Sequence, residues 1–467
     1  RRGVEEIAKE EVVSPRFDLV IMNPPFSRAT APGKEDSRPR IFDFVSSTDA
    51  FKRLWDLYTR LIRDIEKRAK QNGAVNELYE EYVGEDRPFI RRNVDALYAG
   101  AAMPFFFLAD RYLKPGGRIA LVLPRTTLES SSFFLLRAAL ISGYDLEYIV
   151  ISSEEGNSNF SYSTQFSEAL VVARKVRRGE IKSSSNTYII NFKRQPRDVL
   201  SGILMAREVL NRLPARGKRE VIKAQYAEAE VYAVGRNVVE EFVWNLSPIL
   251  GLPPWIERLI EQMVEGSLLG VEVRLRRVMD LPGLTMTNPR KFRGKEFASM
   301  YALSSSGSFR LLNRTGKDVI NMLELDLSKT APISPKSAEA SEFYTERGGR
   351  LFVPEAIRFN TTPLIATWSP EVIASSRAHM LRADPTTERA LCAWMNSTFA
   401  VAWLRAMFTT VEGRFGHIYG WHLRAMRVPD LTEPDVVWRL DSVFQRYARV
   451  TWPPLPEQYR ESASGGG

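Results

Sequence analysis

The stretch FDLVIMNPPFSRAT, Phe17 to Thr30, holds the residues best suited to chemistry: an apolar run that ends in Asn23-Pro24-Pro25-Phe26. Two prolines fix φ and withdraw two N–H donors, so the turn is stiff and its carbonyls are left as acceptors. Asn23 adds a neutral side-chain carbonyl, and Phe26 adds a flat apolar face. Rigid oxygens beside an aromatic plate suit an exocyclic amine on a planar ring. Adenine N6 is such an amine, and a poor nucleophile because its lone pair is spread into the ring. Accepting both N6 hydrogens on Asn23 Oδ1 and the Pro24 carbonyl favours a pyramidal nitrogen. It also stabilises the positive charge that develops on attack at a sulfonium methyl, which is preorganised electrostatics combined with alignment. No metal or covalent intermediate is needed. A base in a duplex must first be turned out of the stack, and Phe26 would then lie against it. Taken alone, the tetrapeptide could be a plain strand–loop turn; the six-residue apolar strand before it and the polar loop after it favour the chemical reading.

The elements that must position this turn follow from periodicity. Residues 17–22 read as a strand buried on both faces, and the loop Ser27–Arg40 is polar. Apolar residues at helical spacing predict a helix over Phe51–Ala69 with Gly73 as its stop. A second helix is expected over Val94–Leu113, ending in LKPGG and giving way to the strand RIALVLP, Arg118–Pro124. A helix over Ser131–Ile141 and the strands YDLEYIVIS (144–152) and EALVVARK (168–175) complete an α/β pattern with a largely parallel sheet. Beyond Gln195 the pattern becomes mixed, and Pro248, Pro253 and Pro254 suggest a boundary. From Trp255 to about Leu431 short strands and loops alternate. Ser328–Ser341 reads as a low-complexity surface loop, and the tail ESASGGG reads as disordered.

Composition narrows the class. The 467 residues suffice for two or three domains. A net charge of +9 and a pI near 9.5 lean towards a polyanionic partner. One cysteine, Cys392, excludes a disulfide framework, and His379, His417 and His422 lack metal-ligand spacing, so no metal is expected. No apolar run approaches the ~20 residues of a membrane span and no signal peptide opens the chain, so a cytoplasmic setting is expected. The chain opens on Arg1 rather than Met, as a processed product or a fragment would.

An ordered series of motifs across roughly residues 12–176 resembles the N6-adenine DNA methyltransferases, in particular type I modification subunits and fused type II enzymes. NPPF (23–26) matches the catalytic motif. LYAGAAMPFFFLADRYLKPGGRIALVLPRTTL (97–128) is similar to the family's next helix and strand, and NFSYSTQFSEALVVARK (159–175) resembles its last catalytic-domain motif. The resemblance implies S-adenosylmethionine as cofactor and double-stranded DNA as partner. Asn23, Pro24, Pro25 and Phe26 would hold the flipped adenine, and Phe160 would pack on its other side. Phe105, with Asn23, would face the cofactor, although an ordinary core position explains Phe105 equally well. The fold implied is the C-terminal half of a Rossmann-like methyltransferase sheet followed by a mixed α+β target-recognition domain. Its expected bounds are 1–195 for the catalytic part, 196–245 for a connecting segment, 246–440 for recognition and 441–467 for a tail. In this family the cofactor site lies mostly upstream of NPPF, and only 22 residues precede Asn23 here. An upstream segment or a partner chain carrying the cofactor half is therefore expected, with weak cofactor binding by the chain alone.

Two carboxy-terminal stretches are candidates for DNA contact. Residues 272–297 carry Arg274, Arg276, Arg277, Arg290, Lys291, Arg293 and Lys295, interleaved with Phe292 and Phe297; a solvated basic surface is the alternative. VEGRFGHIYGWHLR (411–424) sets glycines around Arg414, His417, Tyr419, Trp421 and His422, against which stands an aromatic turn that packs the domain. LFVPEAIRFNTTPLIATW (351–368) and ALCAWMNSTFAVAWL (390–404) look like target-recognition framework. The latter reads as one core helix over Arg389–Leu404, with Cys392 buried and Asn396 a cap or core amide. The resulting function is site-specific adenine-N6 methylation within a restriction-modification or phage-defence system, with a nuclease or other defence subunits as further partners. The alternatives are a DNA-binding specificity subunit with a relic NPPF turn, and an RNA-guanine or protein-glutamine N-methyltransferase using the same motif.

Overall fold

The structure, a computed structural model, describes residues 16–24, 60, 63, 67, 102–130, 133–154, 167–177, 186–243, 245–268, 271–407 and 416–458, with positions 104, 271, 290, 296 and 421 described by backbone alone. The chain divides after Pro253 into two compact units.

The first unit runs β1 (Phe17–Met22), α1 (Ala102–Tyr112), β2 (Leu113–Pro124), the single turn α2 (Thr126–Glu129), α3 (Phe134–Gly143), β3 (Tyr144–Ser152), β4 (Glu168–Lys175), β5 (Asn186–Arg194), α4 (Val199–Asn211), β6 (Arg219–Ala224), β7 (Ala227–Gly235) and α5 (Arg236–Glu241). The strands form one seven-stranded sheet in the order β1-β2-β4-β3-β5-β7-β6. Only β1–β2 and β3–β5 pair in parallel; β4 runs antiparallel between β2 and β3, and β7 antiparallel between β5 and β6. The sheet is thus mixed rather than largely parallel. An apolar strand buried between two neighbours reads the same in either direction, so periodicity gives its existence and not its sense. The segment 196–245 supplies α4, β6, β7 and α5, extending the same sheet.

Branched and small apolar side chains fill the sheet. Ile119, Leu121, Leu123, Ile149, Val171, Ile189 and Val231 are fully buried, each contributing roughly 1.5–3 kcal/mol by leaving water. β1 departs from expectation. It lies at the sheet edge, with β2 its one strand neighbour among the described residues, and Leu19 and Ile21 are 55% and 71% exposed. Five apolar residues out of six state a preference for burial but cannot state whether a covering partner is at hand. Of the expected helix over Val94–Leu113, the described part is α1. The expected helix Phe51–Ala69 lies outside the described residues except at Arg60, Arg63 and Lys67, which are helical.

The PGG that follows α1 has a steric purpose. Gly116 takes φ of +85°, and a Cβ on Gly117 would come 2.8 Å from the Asp18 carbonyl. Without side chains at these positions β2 passes close to β1 through the irregularity at Phe17–Leu19 and then settles into regular register from Leu19↔Arg118 to Met22↔Leu121.

The second unit opens with α6 (Pro254–Glu265), the short hairpin of β8 (Ser267–Leu268) and β9 (Val271–Glu272), β10 (Leu275–Arg277) and β11 (Thr285–Thr287). It continues through α7 (Gly294–Met300), β12 (Tyr301–Leu303), β13 (Phe309–Leu312), β14 (Ala331–Pro335), α8 (Ala338–Arg347), β15 (Gly349–Pro354), β16 (Ala356–Ile357), β17 (Thr367–Ser375) and β18 (Ala378–Arg382). It closes with α9 (Pro385–Met395), α10 (Thr398–Met407), β19 (Gly416–His417), α11 (Gly420–Arg424), β20 (Arg427–Pro429) and α12 (Pro434–Tyr447). Its main sheet has seven strands in the order β11-β18-β15-β17-β13-β14-β12, while β10 pairs with β20 and β16 with β19.

Two expectations are corrected here. Ser328–Ser341 is not a surface loop: it contains β14, which pairs with both β12 and β13 and buries Ile333 completely. Composition misled because every other residue of this strand is Ser, Pro or Ala. The single core helix over Arg389–Leu404 is two, broken after Met395. Asn396 caps α9, and its Oδ1 accepts the Ile365 and Ala366 N–H groups at 2.7 and 3.1 Å, while Nδ2 donates to the Ala366 and Cys392 carbonyls at 2.9 Å each. Cys392 is buried as expected, and burial raises its thiol pKa.

Asn396→Ala leaves these backbone groups unpaired, so it should lower unfolding stability by about 1–3 kcal/mol in urea titration; an unchanged midpoint would contradict the role given to this amide.

Candidate functional site at the carboxyl edge of the first sheet

Because β4 alone is reversed among the first five strands, β1, β2, β3 and β5 point the same way and end at one edge, at Met22, Pro124, Ser152 and Arg194. Such an edge is where open α/β sheets bind ligands. Asn23 and Pro24 follow the last paired residue of β1, Asn23 exposed and Pro24 buried. Pro25 and Phe26 lie outside the described residues.

Around them the edge is tied together by polar contacts. The Arg125 N–H donates to the Ser167 carbonyl at 2.8 Å, its Nε meets Glu129 Oε1 at 2.7 Å, and its Nη2 donates to the Leu250 carbonyl at 3.1 Å. Thr127 Oγ1 caps back onto the Pro124 carbonyl at 2.7 Å. The fully buried Arg137 donates to the Val243 and Thr127 carbonyls at 2.7 and 2.6 Å. On the neighbouring strand, Glu154 Oε2 accepts the Gln195 N–H at 2.8 Å. Phe160 lies outside the described residues; Glu154 and Ser167, the described residues before and after it in the sequence, both belong to this edge. Phe105 is half-buried in the first half of α1, which packs back along β2, while Phe106 and Phe107 beside it are core. Arg125 was not singled out from the sequence; its place just after a buried strand is the signal that was available.

In the second unit the basic stretch 272–297 is less free than its composition suggests. Arg274 Nε and Arg276 Nε stand 3.0 and 2.7 Å from the two oxygens of buried Asp430. Burial pushes the Asp430 carboxyl up, but the Thr432 hydroxyl and Arg276 outweigh it and hold the pKa down at about 2. Arg293 Nη2 pairs with Glu355 Oε2 at 2.5 Å, and its Nε donates to the Ser376 carbonyl. Lys291 is exposed. The Arg290 side chain, like that of Trp421 and the whole of Arg414, lies outside the described residues. Phe292 is core, packed among Phe343, Tyr301 and Tyr344, and Phe297 stacks on Tyr301 at 5.0 Å.

The segment 416–424 does present exposed groups. His417 and Tyr419 are exposed on either side of fully buried Ile418, their ring centroids 6.2 Å apart. His422 is buried, and its Nδ1 accepts the Tyr419 N–H at 3.0 Å. His379 Nε2, also buried, donates to the Ile418 carbonyl at 2.8 Å. Burial lowers both imidazole pKa values, that of His422 to about 3 with a further push from His379. For His379 the Ile418 carbonyl and Glu355 work against burial, while Arg293 and Arg424 add to it.

No family model and no curated protein matches the chain. Among solved structures it is similar to the type IIG restriction endonuclease BpuSI, at 12% identity over 76% of this chain and 44% of that one, with a TM-score of 0.33. It is also similar to the methyltransferase subunit of a type I restriction-modification system from Streptococcus thermophilus, at 14% identity over 51% and 38% of the two chains, with a TM-score of 0.28. The chain thus spans less than half the length of either protein.

The histidines set a pH dependence. An unfolded histidine takes up its proton near pH 6.5, whereas folded His422 does so only near about 3. Between these values the unfolded chain binds the extra proton, so stability falls as pH falls through that window. Asp430, depressed to about 2, contributes its stabilisation at and above roughly pH 4 and loses it only below that. Denaturant titrations from pH 7 to pH 4 should show declining stability, with a shallower decline in His422→Asn; an identical slope in that variant would contradict the burial of a neutral imidazole.

Proposed function

We propose that the chain is the catalytic-motif and target-recognition portion of a DNA adenine-N6 methyltransferase that uses S-adenosylmethionine and serves a restriction-modification or phage-defence system. The observation that carries this reading is the position of Asn23 and Pro24, directly beyond the carboxyl end of a strand paired in parallel, with the proline buried and the amide exposed. A buried proline keeps the corner from yielding, and an exposed amide is accessible to a planar amine. The motif order that resembles this family supports the same reading, as does a mixed sheet consistent with a methyltransferase-like fold.

In this reading Asn23 Oδ1 and the Pro24 carbonyl accept the two N6 hydrogens of an extruded adenine. The nitrogen becomes pyramidal and its lone pair turns out of conjugation with the ring. Two acceptor dipoles then already face the atom on which positive charge grows, so little reorganisation accompanies the step. Phe26 and Phe160 stack on the two faces of the base.

S-adenosylmethionine, when bound, supplies an electrophilic sulfonium methyl. The described residues fit the base better than this cofactor. Phe105 offers a half-buried face, and among the described residues no glycine-rich turn follows a strand. We assign the remainder of the cofactor site to strands that add to the outer edge of β1, from a further segment or a partner chain. An apolar edge with Leu19 and Ile21 exposed is a ready template for such pairing.

The experiment is labelled-methyl transfer to duplex DNA by the enzyme completed with its cofactor-binding part. Asn23→Ala should reduce transfer on the order of 10²-fold or more while duplex binding persists. Full activity in that variant sinks the assignment, and transfer to ribosomal RNA or release-factor protein in place of DNA moves the chain to the alternative substrate classes.

A further inference from the structure

Three segments distant in sequence meet at Glu355. Its N–H donates to the Arg377 carbonyl at 2.9 Å, and its own carbonyl accepts the Ile418 N–H at 2.8 Å. Its carboxylate holds Arg293. Ile418 is fixed at both backbone groups, since its carbonyl also takes the His379 N–H. A buried residue fixed in this way presents its two neighbours, His417 and Tyr419, outward as a pair of rings with polar tips. Arg377 and Ile418 each lie one strand spacing from Glu355, so their backbones are no more than about 10 Å apart.

Arg377 differs from the arginines around it. Arg274 and Arg276 are engaged by Asp430, and Arg293 by Glu355. Arg377 is exposed at the turn between β17 and β18, where its N–H is held by Ser375 Oγ at 3.1 Å. Among the described residues, none forms an ion pair or hydrogen bond with its guanidinium. A paired arginine must give up a carboxylate to take a phosphate; Arg377 gives up nothing.

We propose that Arg377 is a phosphate contact of the DNA-binding surface, set beside the His417–Tyr419 ring pair and held in register with it through the Glu355 backbone. This rests on the DNA reading above. A phosphate contact adds affinity without sequence preference and carries salt dependence through released counterions.

The test is equilibrium binding of the full chain to two fluorescent duplexes of unrelated sequence over a salt series. Arg377→Ala should weaken both duplexes by the same factor, several-fold at ~0.1 M salt, and reduce the magnitude of the log–log salt slope by about 1. Arg377→Lys should restore the slope. Arg314→Ala, at an exposed arginine paired with Asp318 in the same unit, should leave both affinities unchanged. If wild type binds both duplexes and Arg377→Ala matches it in affinity and slope, the proposal is overturned while the assignment of Asn23 stands. Weakening confined to one duplex would also overturn it, because that is base reading. A wild-type chain that binds neither duplex overturns this proposal and the DNA reading together.

Discussion

The antiparallel ladder between β2 and β4 is the constraint on which the first unit depends. It runs without a break from Arg118↔Arg174 to Pro124↔Glu168, and β4 pairs on its other side with β3 from Tyr144↔Lys175 to Ile151↔Ala169. One reversed strand therefore aligns two parallel pairs that have no direct contact in the sheet. Backbone hydrogen bonds are individually worth little more than about 1 kcal/mol, but a ladder admits only registers that differ by whole residues. The carboxyl ends of β1, β2, β3 and β5 are brought to one edge, within a few residues of each other, by that quantised register. Asn23, Arg125 and Glu154 share an edge because of it.

The second unit reaches similar precision by other means. Its strands are short, and buried polar groups link its pieces. Glu388, fully buried, accepts the Trp368 indole N–H and the Ala383 N–H, both at 2.9 Å. The Tyr344 hydroxyl donates to the Arg310 carbonyl at 2.7 Å and accepts the Arg310 N–H at 3.1 Å, and burial raises its pKa to about 12. Each such group is costly if one partner is lost, because a stranded buried dipole cannot return to water. A segment anchored this way holds exposed side chains in place even outside a sheet, as Tyr419 illustrates.

Much of this was legible in the residues. β3 and β4 were read with their observed bounds, because YDLEYIVIS and EALVVARK are rich in branched and aromatic β-formers and stand between polar segments. Direction was not legible, since side-chain alternation is blind to it. Nor was the exposure of β1, which depends on what covers it. β14 was missed because its serine and prolines outweigh one decisive isoleucine. At the site, Asn23 and Pro24 announce themselves through backbone chemistry confined to adjacent residues. Glu355, His379 and Arg377 do not, because their placement comes from hydrogen bonds between segments 22 to 63 residues apart. Arg274, Arg276 and Arg293 look free in the sequence for the same reason: their carboxylate partners lie far along the chain.

Gly117 bears on the site from the opposite end of β1. A methyl group there would meet the Asp18 carbonyl at 2.8 Å, inside any contact that real side chains tolerate, and β1 would have to swing aside. A strand is stiff along its length, so the sideways error at Asp18 would be transmitted about 16 Å to Asn23. Glycine at this point works as the fulcrum of a lever. The alignment of the Asn23 amide is thus calibrated by an atom that is absent, at the far end of the strand.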